Sequence, residues 1–240
     1  MKKESLTLAD KFERVLLKSG IALGLLLLML FWGAIPSLIL SLFKLDINEM
    51  NSLWKVIISF IFDILLLLII CGIYSKTLIR DFKNYFNKDF SSNLKKSFSI
   101  WLMGFGIMIV SNAIIVIITG GEISQNEEAV RSLIDSYPIY MAFQVMIYAP
   151  LIEELIFRKS IKDAIPNSNL YIIVSGFIFG GLHVISSLSE PYGFLHLIPY
   201  CSLGFLFAYL YKKTDNIFST ITAHSIHNLL ALLVYLRGSR

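Results

Sequence analysis

Pro138-Ile139-Tyr140-Met141-Ala142-Phe143-Gln144-Val145-Met146-Ile147-Tyr148-Ala149-Pro150-Leu151-Ile152-Glu153-Glu154-Leu155-Ile156-Phe157-Arg158 is the stretch that decides how this chain folds. Its apolar part is long enough to lie in lipid, yet it ends in two adjacent carboxylates and an arginine. Ionisable groups at membrane depth cost roughly 2.5–3.5 kcal/mol each on insertion scales, so a chain that places several there has a use for them.

The same apolar pattern recurs on both sides. Spans are expected at 21–43, 53–74, 98–119, 138–157, 170–188, 194–211 and 217–236. Each is long enough to cross ~30 Å of hydrocarbon. The chain has 240 residues, of which 56% are hydrophobic and 16% charged. A soluble domain of that length could not bury so much apolar surface. The period-two alternation of barrel strands is absent. The expected fold is therefore all-α: a polytopic integral membrane bundle of about seven transmembrane helices, with short connections that make the last three antiparallel neighbours.

Sixteen of the 21 basic residues fall on segments that face the cytoplasm if the N-terminus does. Only Lys44, Lys55, Arg131, Arg237 and Arg240 fall on the other side, where Glu122, Glu127, Glu128 and Asp135 also lie. The positive-inside rule thus favours a cytoplasmic N-terminus. Because the basic residues flank the spans, the net charge of +4 points to topology rather than to nucleic acid. Residues 1–20 read as an amphipathic surface helix or a solvated lead-in. Residues 21–137 hold three spans, and 138–240 hold four. No cleavable signal is expected, since Glu4, Asp10 and Glu13 precede the first apolar run. Cys71 and Cys201 lie inside apolar runs and read as packed thiols.

Polar residues inside the spans carry the chemistry. Glu154 and Arg158 are four apart, in the favourable order for an ion pair on one helix face. Glu153 points roughly 100° away and has no such partner. Both glutamates could instead cap the span at the headgroups. In the fifth span, His183 follows Phe179 by four residues, with Gly176 and Gly180 nearby to admit a neighbouring helix. In the seventh, Thr220, His224, His227 and Asn228 make a polar stripe, which could also serve only to zip helices together. Asp63 reads either as an interhelical bond or as a cavity lining, and Asn112 and His196 as packing residues. Pro150 should kink its helix just before the glutamates.

A carboxylate, two imidazoles and an amide around a wet pocket suffice for peptide hydrolysis. Glu153 and His183 would share the attacking water, and His224 and Asn228 would face the oxyanion. One tension stands. Counted from the cytoplasmic ends at ~1.5 Å per residue, Glu153 lies shallow, His224 deeper and His183 deeper still.

Three motifs in this order, Glu153-Glu154-x-x-x-Arg158, Phe179-x-x-x-His183 and His224-x-x-x-Asn228, resemble the CAAX-protease and bacteriocin-processing family, also called Abi proteins. The resemblance covers roughly 138–236. It implies an intramembrane endopeptidase in which Glu153 activates water, His183 assists, Glu154 and Arg158 form a supporting pair, Phe179 belongs to the second motif, and His224 and Asn228 hold the oxyanion; the Ile-, Lys- and Asn-leaning composition points to a bacterial cell membrane. The implied partner is a peptide or protein, prenylated in eukaryotic members and a pheromone or bacteriocin precursor in bacterial ones. The resemblance favours a site without metal. Zinc on Glu153, His183 and His224 is the other option, although no His-Glu-x-x-His occurs. His227 has no place in the pattern. The signatures of rhomboid and presenilin-like proteases are absent. Two other functions compete: a non-catalytic bacteriocin-immunity or partner-binding protein, and a small transporter, for which the internal repeats are lacking.

Overall fold

The computed structural model describes residues 7–87 and 90–238. Lys2, Lys3, Lys88 and Arg240, which enter the charge asymmetry, lie outside the described residues, as does the beginning of the segment 1–20. Among the described residues there is no strand, and seven helices are long and apolar enough to span a bilayer.

Helix α1 (Leu8–Trp32) starts at a reciprocal cap, in which Asp10 N donates to Thr7 Oγ1 (3.2 Å) and Thr7 N to Asp10 Oδ2 (2.9 Å). These bonds satisfy two otherwise orphaned amides. The charged lead-in and the first apolar run therefore form one helix. It stops at Gly33, and α2 (Ile35–Leu42) continues with Pro36 in its first turn. Helices α3 (Ser52–Ile73), α4 (Ser75–Asn87), α5 (Phe90–Thr119) and α6 (Gln125–Ser136) follow. The remaining helices are α7 (Pro138–Ala164), α8 (Ser168–Val184), α9 (Leu197–Thr214) and α10 (Ile217–Gly238).

Helix α7 extends seven residues past the expected end at 157, about 10 Å further at 1.5 Å per residue. Glu153 consequently lies deeper within its helix than the expected end implied. Two stretches of α7, Gln144–Tyr148 and Glu154–Ser160, are wound with five-residue rather than four-residue hydrogen bonding. Such π-type turns are rare and concentrate at functional sites.

Helix α9 sits between α5, α8 and α10. Its contact with α8 is a glycine seam. A Cβ on Gly180 would lie 2.7 Å from Cys201 N and 2.9 Å from Cys201 Cα, and one on Gly204 would lie 2.7 Å from Gly176 O. Small residues at such a seam let backbones approach and pack tightly. The main core joins Leu25 of α1, Leu66 and Ile70 of α3, and Ile152, Leu155 and Ile156 of α7. A second cluster joins Trp101 of α5 to Leu203, Phe207 and Leu210 of α9. Cys71 and Cys201 are both free thiols.

The start of α10 is anchored from α4. Asp81 Oδ2 accepts from Ile217 N (3.0 Å), and Asp81 O accepts from Asn216 Nδ2 (2.8 Å). A buried carboxylate at a helix N-terminus satisfies an orphaned amide and opposes the positive end of the dipole. This cap sets the height of the helix that carries His224.

Gly180→Ala should destabilise the protein by about 1–3 kcal/mol, because its new methyl meets backbone that cannot turn aside. Gly181→Ala, where a Cβ meets nothing within 4 Å, should not. Thermal unfolding of the two variants in detergent separates them.

Candidate active site

Glu154 and Arg158 are both fully buried, and Arg158 Nε donates to Glu154 Oε2 at 3.1 Å. Arg158 Nη1 donates to Ser175 Oγ (2.9 Å), which donates in turn to Phe157 O (2.7 Å). The guanidinium lies over the Phe179 ring, 4.6 Å from its centroid. Burying this pair is costly, and these bonds offset part of the lost hydration, while Arg158 Nη2 is buried without a hydrogen-bond partner. The other oxygen of Glu154, Oε1, is 2.9 Å from His224 Nδ1. A carboxylate can only accept, so Nδ1 carries the hydrogen and Nε2 turns the opposite way.

His183 is fixed by the same logic. Its Nδ1 is 2.8 Å from Phe179 O, a carbonyl that can only accept, and its ring stacks on Tyr200. Both imidazoles therefore turn Nε2 towards a common point. There stands Glu153 Oε2, 4.0 Å from His183 Nε2 and 3.9 Å from His224 Nε2, buried and without a hydrogen-bond partner. Three helices, α7, α8 and α10, supply these three groups. The distances are too long for direct hydrogen bonds. An atom about 2.8 Å from each would sit between them.

The same distances test for zinc. Tetrahedral ligands about 2.0–2.1 Å from the metal stand roughly 3.3–3.4 Å from one another. The separations of 3.9 and 4.0 Å are wider, and no metal-holding group of His, Cys, Asp and Glu occurs among the described residues. As placed, Glu153, His183 and His224 do not fit the ion.

Glu153, Glu154, Arg158, Phe179, His183 and His224 are thus in one cluster. Asn228, one turn after His224, donates through Nδ2 to Val145 O of α7 at 2.8 Å. His227 faces away from the cluster, where its Nδ1 accepts from Trp101 Nε1 of α5 at 3.4 Å. Asp63 of α3 accepts from Tyr140 OH (2.6 Å) and from Gln144 Nε2, both on α7.

Sequence reading passed over Ser175, Tyr200, Phe207 and Asp81. Ser175, Phe179 and His183 recur every four residues on one face of α8, a signal that could have found the serine. Phe207 stacks on the His224 ring at 5.0 Å, and only packing shows this.

Fold and site together define a multi-pass integral membrane protein with a carboxylate and two imidazoles converging inside its bundle. Residues 135–230 match the family model of the Type II CAAX prenyl endopeptidase Rce1-like proteins, which bears out the resemblance carried by the three motifs. YdiL of Bacillus subtilis, named as a candidate membrane peptidase, is 32% identical over 123 residues, covering 50% of this chain and 47% of that protein. An uncharacterised protein of Mycoplasma capricolum is 29% identical over 233 residues, covering 90% of this chain and 66% of that one. UPF0177 protein YxdF of Lactococcus lactis is 27% identical over 143 residues, covering 57% and 76%. The chain therefore spans about half the length of YdiL and just under two thirds of the Mycoplasma protein. No solved structure matches it.

Arg158→Ala leaves Glu154 charged in a dry site and should lower stability by about 3–5 kcal/mol. Arg158→Lys should recover only part of this, since an ammonium cannot reproduce the planar fork that reaches both Glu154 and Ser175. Unfolding in detergent measures both.

Proposed function

We propose that this protein is an intramembrane endopeptidase that hydrolyses a peptide bond in a membrane-associated peptide or protein. The observation that carries the reading is the buried, unpartnered Glu153 Oε2 standing 4.0 and 3.9 Å from two imidazole Nε2 atoms. A water held between Glu153 and His183 loses a proton to the carboxylate as its oxygen adds to the substrate carbonyl carbon. That proton then passes from Glu153 to the amide nitrogen as the C–N bond breaks.

His224 serves the oxyanion. With Nδ1–H on Glu154, a second hydrogen on Nε2 makes the ring an imidazolium that can donate to the developing charge. The assignment balances: Glu153 and Glu154 bring two negative charges, and Arg158 and His224 bring two positive ones. A low-dielectric interior favours such neutrality. Asn228 would add a second oxyanion donor through the amide hydrogen that Val145 does not take.

The reading is metal-free, which the wide donor spacing supports. The charge asymmetry of the loops supports a cytoplasmic N-terminus. The substrate would be a prenylated tail or a leader, pheromone or bacteriocin peptide.

The protein in detergent or liposomes, given a farnesylated peptide with a removable C-terminal tripeptide or a leader-bearing peptide, should cleave one of them. Glu153→Gln should reduce kcat by about 10²–10⁴-fold with unchanged unfolding temperature. Full activity in that variant would remove the assignment, and immunity retained by Glu153, His183 and His224 variants would favour a binding protein instead. Cleavage should also persist in a chelator; a loss that added zinc reverses would overturn the metal-free reading.

A further inference from the structure

The turn of α7 just before the glutamates is held in an unusual way. Ala149 N donates to Gln144 O, five residues back. In that register the donor for Val145 O would be residue 150, but Pro150 has no N–H. Both amides of the next turn that could reach the Val145 carbonyl are therefore engaged or missing. Asn228 Nδ2 donates to it instead, at 2.8 Å, from α10. On the other side, Asp63 Oδ2 accepts from Gln144 Nε2 and Tyr140 OH, and Gln144 Nε2 also reaches Tyr140 OH at 2.7 Å.

This turn has a geometric consequence. Each residue added to a helical turn rotates everything after it by roughly 100°. Glu153 follows Pro150 by three residues, so the winding of Gln144–Tyr148 decides which way its carboxylate points. Relaxation of the turn to four-residue winding would aim Glu153 away from His183 and His224.

We propose that Asn228 is a positioning residue for Glu153, acting by bonding the Val145 carbonyl that Pro150 leaves without a main-chain donor, with Asp63 gripping the same turn from α3. This rests on the peptidase reading for its effect on rate, but its effect on α7 does not. The role is additional to any contact that the other amide hydrogen makes with an oxyanion.

A double-mutant cycle tests it. Asn228→Ala in the native background should lower kcat by about tenfold or more and leave KM unchanged, as expected for a buried carbonyl losing its partner. Pro150→Ala returns an N–H at the position that faces Val145 O. In that background the penalty of Asn228→Ala should fall by about threefold or more, the remainder being the loss of its oxyanion contact. An oxyanion donor would show the same penalty in both backgrounds, because an amide at residue 150 cannot replace it. An undiminished penalty would overturn the proposal. Should Asn228→Ala not fold, Asn228→Asp, equal in shape but without the donor hydrogens, takes its place.

Hydrogen exchange of the α7 amides, read by mass spectrometry on detergent-solubilised protein, supplies a readout independent of catalysis. Asn228→Ala should speed exchange between Met146 and Glu154 by about tenfold or more, and Pro150→Ala should restore protection. Unchanged exchange would count against the brace. The farnesylated and leader-bearing peptides are the activity probes, with Glu153→Gln run alongside. Loss of cleavage in Glu153→Gln without any coupling between Asn228 and Pro150 would sink this inference alone. Coupled exchange without cleavage of either peptide would sink the peptidase assay but leave the brace standing.

Discussion

The interaction on which the rest depends is the buried ion pair between Glu154 and Arg158, with its branches to His224 and Ser175. Neither charge has water to solvate it, so each must be matched by groups from other helices. Arg158 holds α8 through Ser175 and the face of Phe179. Glu154 holds α10 through His224 Nδ1. One pair of charges therefore ties three helices together at the depth where Glu153 stands. The same pair dictates the tautomer of His224, and so aims Nε2 at Glu153. In a bilayer the hydrophobic effect contributes little to helix–helix association, so such polar ties and the tight glycine seam carry more of the burden.

Around that tie, the helices are held at set heights by caps and carbonyl bonds. Asp81 of α4 seats the first turn of α10, which places His224 two turns in. The Phe179 carbonyl seats His183, and Tyr200 stacks against its other side. Tyr200 OH in turn meets Ser124 at the start of α6. His183 and His224 are thus each held by a neighbouring group that fixes the ring. Glu153 is the exception, since its Oε2 lacks a partner in the protein. An unsatisfied buried acceptor is costly, and the proposed peptidase reading gives this one a partner in the attacking water.

Much of this was legible in the sequence because the membrane makes polar residues conspicuous. Seven apolar runs gave seven helices, and the i, i+4 spacing of Glu154 and Arg158 gave their ion pair. The depth of Glu153 was misjudged because Arg158, Lys159 and Lys162 look like the end of a span. In the structure Arg158 is buried, Lys159 pairs with Asp163, and the helix runs on to Ala164. His227 shared a stripe with His224 and Asn228, yet it packs on Trp101, since residues three apart diverge enough to face different neighbours.

Composition, periodicity and motif order by themselves determined that this chain is a helical membrane protein and which polar residues its spans carry. Hydrocarbon forces every span into a helix and leaves few polar side chains to consider. The tertiary structure alone decided how those residues face one another. The winding of α7 turns on a hydrogen bond between residues 83 positions apart in the chain. The aim of the His224 ring depends on Glu154, 70 positions away, meeting its Nδ1. Such long-range pairings leave no periodic trace in the sequence, so no local pattern could have revealed them.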